Sequence, residues 1–284
     1  MIQGKTVGVL GVGAIAEALA PRLKALGLGK TPVHAGLWLK RFRPNGLPRI
    51  ARSSERWADA AARVLDRLGI TLLPAPAAGC CGAVSQHLDA PDEARDYMRR
   101  NIDAWWPYIE NGAEAIVMTA SGCATMVADY GLLLAHDAAY AGKAARVSAL
   151  MKEISEVIAA EKSRLRELLS QRPRNTEASK VAFHPPCSLQ HGLKMKGRVE
   201  PLLQELGFEL TPVADSHLCC GSAGSYSLLQ PELSLQLRDR KLANLADTGA
   251  QTIVSANVGC TAHLQSGTGT PVLHWIELID RALN

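Results

Sequence analysis

The chain carries the same cysteine pattern twice at an almost fixed spacing, and this repeat narrows the possible folds more than any other feature. Gly79-Cys80-Cys81-Gly82 is matched by Leu218-Cys219-Cys220-Gly221, 139 positions later. Ser121-Gly122-Cys123 is matched by Val258-Gly259-Cys260 at a spacing of 137, and Leu68-Gly69 with Pro74 by Leu206-Gly207 with Pro212 at 138. Self-similarity at a constant period is the mark of a repeated structural unit. One further cysteine, Cys187, has no partner in the first copy. The spacing puts that partner near Pro48, and no cysteine precedes Cys80.

Hydrophobic patterning fills in the elements. Lys5 to Leu10 reads as a buried strand, Gly11 to Ala16 as a tight glycine turn, and Glu17 to Leu26 as a helix. Residues 30–56 hold Pro32, Pro44 and Pro48 and read as irregular linker. Trp57, Ala61, Val64, Leu65 and Leu68 recur at helical spacing before Gly69, a natural stop. Strand Ile70 to Leu73, helix Asp92 to Ile109 with a pause at Pro107, strand Ile116 to Thr119, and one long helix from Lys143 to Leu169 complete the first copy. Residues 171–180 are a polar break. The second copy then runs strand, Cys187 loop, helix Gly197 to Leu206, strand, Cys219-Cys220 loop, helix Pro231 to Leu245, strand, Cys260 loop, and a final helix from Leu273. Strands alternating with helices predict parallel sheets with sites at the strand C-terminal ends.

The expected fold is therefore α/β. Two repeated cysteine-rich units, each a small parallel sheet flanked by helices, are related by a pseudo-twofold. Residues 1–56 form a divergent N-terminal segment, 57–170 a degenerate first unit, and 171–284 the second unit. The 284 residues, 47% hydrophobic and 20% charged, have an ordinary globular composition, and a net charge of +4 is too small to imply nucleic acid. Glu17, Pro21 and interrupting glycines argue against an export signal at the apolar start. No apolar run suffices to span a membrane. Seven cysteines, an odd number, are then expected to be reduced thiols or metal ligands in the cytoplasm.

Cys187, Cys219, Cys220 and Cys260 each sit in a loop after a strand, and thiolates gathered at one sheet end suit a soft metal or an iron–sulfur cluster. The blander account is that they are buried small hydrophobes. The adjacent pair, the repeat and the flanking glycines favour ligation. Cys80, Cys81 and Cys123 offer three thiolates and leave a fourth position open. A Cys₄ site also suits zinc, so a zinc-stabilised scaffold or binding module is the alternative. His263 is a weak further ligand, and His184, before Pro185-Pro186, reads as a group that orients the loop. The turn Gly11-Val12-Gly13 resembles the dinucleotide-binding turn of NAD(P)-dependent dehydrogenases, but residues 18–54 hold no acidic residue for the ribose. No general base with a substrate-binding arginine stands out, so no catalytic residue is assigned.

Six stretches make the pattern specific: AARVLDRLGI (61–70), APAAGCCGAV (75–84), NIDAWWPYIENGAEAIVMTASGC (101–123), HPPCSLQHG (184–192), LCCGSAGSYSLLQPELS (218–234) and VSANVGCTAHLQSGTGTPVLHWIELID (254–280). On them the chain resembles the cysteine-rich CCG domain family. Its members include the CCG-bearing polypeptide of heterodisulfide reductase and, more closely similar, the iron–sulfur subunits of glycolate oxidase. The resemblance implies an electron-transfer subunit with an iron–sulfur cluster, expected to be 4Fe–4S. It implies no turnover by the chain alone. FAD would reside on flavin-containing partner subunits that oxidise glycolate or another 2-hydroxy acid. Electrons would pass to an acceptor at the inner face of the membrane, to which the complex associates peripherally. The family's ferredoxin-type runs of C-x-x-C-x-x-C-x-x-x-C-P are not in this sequence. Met126 and His263 stand where some members complete a C-x-x-C pair. The surface around Trp105, Trp106 and the final helix is the expected docking face.

Overall fold

Two four-stranded parallel sheets with one strand order account for the architecture. The computed structural model describes residues 6–9, 46–171 and 180–284. The glycine turn expected at residues 11–16, the helix expected at 17–26 and the linker up to residue 45 lie outside these. The first sheet contains β1 (Thr6–Val9), β2 (Thr71–Pro74), β3 (Ala115–Met118) and β4 (Met151–Glu153), in the order β2-β1-β3-β4. The second contains β5 (Val181–His184), β6 (Leu210–Thr211), β7 (Thr252–Ser255) and β8 (Val272–His274), in the order β6-β5-β7-β8. Register matches as well: Thr6 pairs with Thr71 and Val7 with Ala115, while Val181 pairs with both Leu210 and Thr252. In both sheets the winding direction reverses between the two central strands. A crevice opens there at the strand C-terminal ends, which is where open α/β sheets bind ligands.

The helices are α1 (Gly46–Arg67), α2 (Ala83–His87), α3 (Pro91–Glu110), α4 (Ser121–Ala128), α5 (Tyr130–Leu133), α6 (Ala141–Leu150), α7 (Ile154–Ala160), α8 (Lys162–Ser170), α9 (Val199–Glu205), α10 (Tyr226–Leu229), α11 (Pro231–Ala246), α12 (Val258–Gln265) and α13 (Trp275–Leu283), with a π-helical turn at Ser188–Gly192. The stripe Trp57, Ala61, Val64, Leu65 and Leu68 is buried as its spacing predicts. It packs with Ile276, Ile279 and Leu283 of α13 in a core shared by both units. Reciprocally, Ile154, Val157, Ile158 and Leu165 share that core with Val199, Leu202 and Leu203 of α9. Ion pairs bracket the two contacts: Arg63 to Asp280 at 2.7 Å and Lys162 to Glu205 at 2.9 Å. Each unit thus lends one helix pair to the other, as pseudo-twofold packing requires.

Strand alternation divides the cores. Val117, Val181, Phe183 and Val254 enter the shared core, whereas Ile116 and Met118, or Ala182 and Ile253, face a core private to their own unit. Both faces are covered, so the strands are continuously apolar.

Several expectations need correction. The long helix over 143–169 is broken by β4: Met151 to Glu153 pair with β3, and Glu153 then caps α7. The final helix begins at Trp275, because Val272 to His274 form β8 and His274 is the cap. The counterpart of β5 is β1, not a segment near Pro48. Pro48 lies in the first turn of α1, where a missing N–H costs nothing. The connection after β1 is far longer than that after β5, and this defeats the fixed offset. Helix α3 does not pause at Pro107. Nor do Trp105 and the final helix form an exposed face. Trp105 is buried and stacked on Tyr130, and α13 is buried against α1. Among the described residues, no helix is long and apolar enough to cross a membrane.

Candidate metal centre

The second unit gathers its four cysteines and one histidine at the crevice between β5 and β7. Strand β5 ends in His184, whose carbonyl accepts a hydrogen bond from Ser255 Oγ of β7 at 2.9 Å. Pro185 and Pro186 carry the chain to Cys187 at the start of the π-helical turn, and Gln190 Nε2 donates to the Pro185 carbonyl at 2.8 Å. Cys260 lies in the first turn of α12, which Asn257 caps by accepting from Gly259 N at 3.2 Å. Cys219 and Cys220 arrive on the loop after β6. That loop turns at Gly221, where φ is +86° and a Cβ would lie 2.2 Å from the Ser234 carbonyl oxygen, so only glycine fits.

A ring nitrogen of His184 and the sulfurs of Cys220 and Cys260 all lie within 4.8 Å of one another. Cys219 is hydrogen-bonded to both Cys187 and Cys220, which hold its thiol well below the ordinary range. Cys260 is drawn down to about 6 by Cys220, against burial and with help from His184. Cys187 is pushed up by Cys219 and by burial, and Cys220 by Cys219 and Cys260. The five side chains form one unbroken run of contacts. Neither ring nitrogen of His184 has a hydrogen-bond partner of normal geometry, although the residue is only 1% exposed. A buried polar group without a partner demands an explanation. Beside four converging thiols, that explanation is a thiolate-held metal group, and the donor set fits one.

The neighbours brace this arrangement. Gly221 N donates to Cys219 Sγ at 3.3 Å, and the Ser222 amide reaches Cys220. Ser234 Oγ donates to the Gly221 carbonyl at 2.7 Å and lies 3.1 Å from His263 Nε2. His263 thus supports the loop from behind, and burial lowers its pKa. Lys241, 1% exposed, donates to the carbonyls of Asp215 and Ser216 at 2.7 and 3.3 Å. Its ammonium, destabilised by burial, feels the charge of Cys220, Cys187 and Cys219.

The first unit repeats the loop with fewer donors. Gly82 has φ +85°, and a Cβ there would lie 2.9 Å from the Ala94 carbonyl oxygen. Cys80 contacts Cys81 and Cys81 contacts Cys123; the bond to Cys81 and burial raise Cys80, while the bond to Cys123 and burial raise Cys81 against the opposing pull of Cys80. Asn101 holds the loop, accepting from Gly79 N at 2.7 Å and donating to the Cys80 carbonyl at 2.8 Å. Tyr130 Oη donates to the Cys81 carbonyl at 2.9 Å. Val9 ends the strand equivalent to β5, and Leu10 follows it in sequence. The two sites adjoin: Ser121 N donates to the Ala256 carbonyl at 3.0 Å, and Ser121 Oγ lies 2.8 Å from Ser188 Oγ.

All seven expected cysteines therefore fall into two groups. The structure places His184 beside the cysteines, and sequence reasoning overlooked Lys241 and Asn101.

Comparison with known proteins agrees with the repeat. The cysteine-rich CCG domain matches residues 49–128 and 181–265, more than half of the chain, which therefore belongs to that family. The chain is 52% identical over 224 residues to the "Glycolate oxidase iron-sulfur subunit" of Escherichia coli (strain K12), covering 79% of this chain and 53% of that protein. It is 26% identical over 243 residues to the "Probable glycolate oxidase iron-sulfur subunit" of Bacillus subtilis (strain 168), covering 80% and 53%. It is 26% identical over 227 residues to "Lactate utilization protein A" of Bacillus licheniformis, covering 78% and 91%. The chain thus spans about half the length of the first two relatives.

Proposed function

We propose that this chain is the cysteine-rich part of an iron–sulfur electron-transfer subunit in a complex that oxidises glycolate or a similar 2-hydroxy acid. The observation that carries the reading is the run Cys187–Cys219–Cys220–Cys260–His184 at the switch point of the second sheet. The similarity to iron–sulfur subunits named for glycolate oxidase supports it. Cys187, Cys219, Cys220 and Cys260 would hold the group, of 4Fe–4S type, and a group so held supplies one-electron carriage. Cys80, Cys81 and Cys123 form a weaker, incomplete site. Lys241 places a fixed positive charge by the thiolates. The amides of Gly221 and Ser222 point at Cys219 and Cys220, and such contacts raise the potential of a thiolate-bound centre. Flavin-containing partner subunits would carry FAD and remove the hydride, since among the described residues none is placed to take part in that step. The complex would work in the cytoplasm, at the inner face of the membrane. We place the start of the first unit at β1, ahead of residue 57, because β1 completes its sheet.

The test begins with anaerobic purification and analysis for iron, zinc and acid-labile sulfide. Brown protein with iron and sulfide is expected. Colourless protein with zinc alone would replace this reading with the zinc scaffold. Dye-linked glycolate oxidation is then measured with this chain, with the flavin subunits, and with the mixture. The mixture is expected to exceed either component, and turnover by the flavin-free chain alone would overturn the assignment.

A further inference from the structure

The described chain buries His184, His263 and His274 almost completely. Two of them have a protein partner for a ring nitrogen. His263 Nε2 meets Ser234, and His274 Nδ1 accepts from Ile276 N at 3.2 Å. His184 has no backbone or hydroxyl partner for either nitrogen; its ring lies against Cys220 and Cys260, and its one polar contact is with the Cys260 thiol. We propose that His184 is a direct ligand of the metal group in the second unit, a fifth protein donor beside Cys187, Cys219, Cys220 and Cys260. This rests on reading that site as a thiolate-held metal group.

The local structure leaves the ring little freedom. His184 is the last residue of β5 and pairs with Ser255, whose hydroxyl also clasps its carbonyl. Two prolines follow, each fixing its own φ. The backbone therefore aims the side chain into the crevice before any ligand arrives. An imidazole buried without a partner is costly, and a metal bond removes that cost. Imidazole and thiolate also share iron and zinc centres as a matter of ordinary coordination chemistry. A purely structural histidine would have bonded to the backbone, as His274 does. The first unit sharpens the contrast: the register pairs Val9 with Val117 as it pairs Phe183 with Val254, so the place of His184 falls to Leu10 in the sequence, a side chain with no donor atom.

The test uses the full chain labelled with ¹⁵N-histidine. One sample is reconstituted anaerobically with iron and sulfide, and a second is loaded with Co²⁺. Pulsed EPR is expected to detect one strongly coupled histidine nitrogen in each. His184→Ala should abolish the coupling and weaken Co²⁺ binding by about tenfold or more. His184→Cys, which keeps a donor and guards against simple misfolding, should retain metal without the nitrogen signal. Fully loaded wild-type protein without a nitrogen coupling, or a coupling that survives in His184→Ala, would overturn the proposal. Co²⁺ bound with a histidine nitrogen but no iron–sulfur group formed would leave the ligand assignment standing and remove the electron-transfer reading. Failure to bind either metal would remove both.

Discussion

The two units share one topology and one loop glycine, yet among the described residues the second gathers four cysteines and a histidine where the first gathers three cysteines. At the end of the central strand, His184 and then Cys187 in the second unit answer by register to Leu10 and a cysteine-free stretch of sequence in the first. On the helix after the paired cysteines, Lys241 occupies the place that Asn101 holds in α3, and both bond to the cysteine loop. Before the capped edge helix, Glu153 of the first unit answers to His274 of the second, and both are fully buried. The comparison separates scaffold from chemistry. The turn glycines and the strand order are needed for the fold and are kept, while the charge and donor count vary at a few positions facing the crevice.

The sharpest way to break this comparison is to remove equivalent cysteines. Cys219→Ser should lose bound metal altogether, because a full thiolate set is needed to hold a cluster. Cys80→Ser should leave most of it. Equal losses in metal analysis would mean that both sites are occupied, or that one group spans them.

Next come the glycines. Gly221→Ala should destabilise by about 4 kcal/mol, and Gly82→Ala by about half that. The added Cβ would meet backbone oxygen at 2.2 Å in one case and 2.9 Å in the other. Urea denaturation of both variants in the same metal state decides it, and a reversed order would show the second loop to be the more yielding.

A third test uses pH. Burial raises Glu153 to about 7, whereas burial lowers His274 to about 3. The folded carboxyl holds its proton where the unfolded one has lost it, so Glu153 costs stability as pH rises from about 4 through 7. Glu153→Gln, which keeps a cap for Ser155 N, should be more stable than wild type at pH 8 by about 3 kcal/mol and little changed at pH 4. His274 acts in the opposite sense: the unfolded imidazole takes up a proton that the folded one refuses, so stability falls as pH drops from about 6.5 towards 3. His274→Asn should flatten that acid limb of the stability curve. Parallel pH profiles of both variants and wild type would refute the buried, oppositely shifted pair.

The smallest effect concerns charge. Lys241→Met should lower the reduction potential of the second-unit centre by on the order of 50 mV, since it removes a buried positive charge beside the thiolates. Asn101→Leu should leave that potential unchanged while loosening the Cys80-Cys81 loop. A redox titration compares the two directly, and an unmoved potential in Lys241→Met would limit that lysine to holding the Asp215 and Ser216 carbonyls.

Much of this was legible in the sequence because it is local. The period of about 138 residues announced two units, and continuous apolar runs such as Val181-Ala182-Phe183 announced buried parallel strands. The glycine after each cysteine pair announced a turn needing positive φ. What stayed hidden was short or distant. Strands β4 and β8 span three residues each, and the apolar stripe through Val147, Leu150, Ile154 and Val157 keeps helical spacing across β4. A periodicity argument cannot see so brief an interruption. The counterpart of β5 was misplaced because an offset assumes equal connection lengths, and the connection from β1 to α1 is much the longer.

The sequence by itself determined which residue types were available, that they came in two matched sets, and that they lay after strands. Those properties follow from neighbours along the chain. Only the tertiary structure decided which donors meet. Cys187 at the π-helical turn after β5, Cys219-Cys220 on the loop after β6 and Cys260 in the first turn of α12 are brought together by strand order, and a buried histidine or lysine looks the same in sequence whether it is satisfied by backbone or aimed at a sulfur. The ring of His184 turns toward Cys220 and Cys260 because β5 and β7 are adjacent at the switch point, and that adjacency is set by packing over the whole sheet.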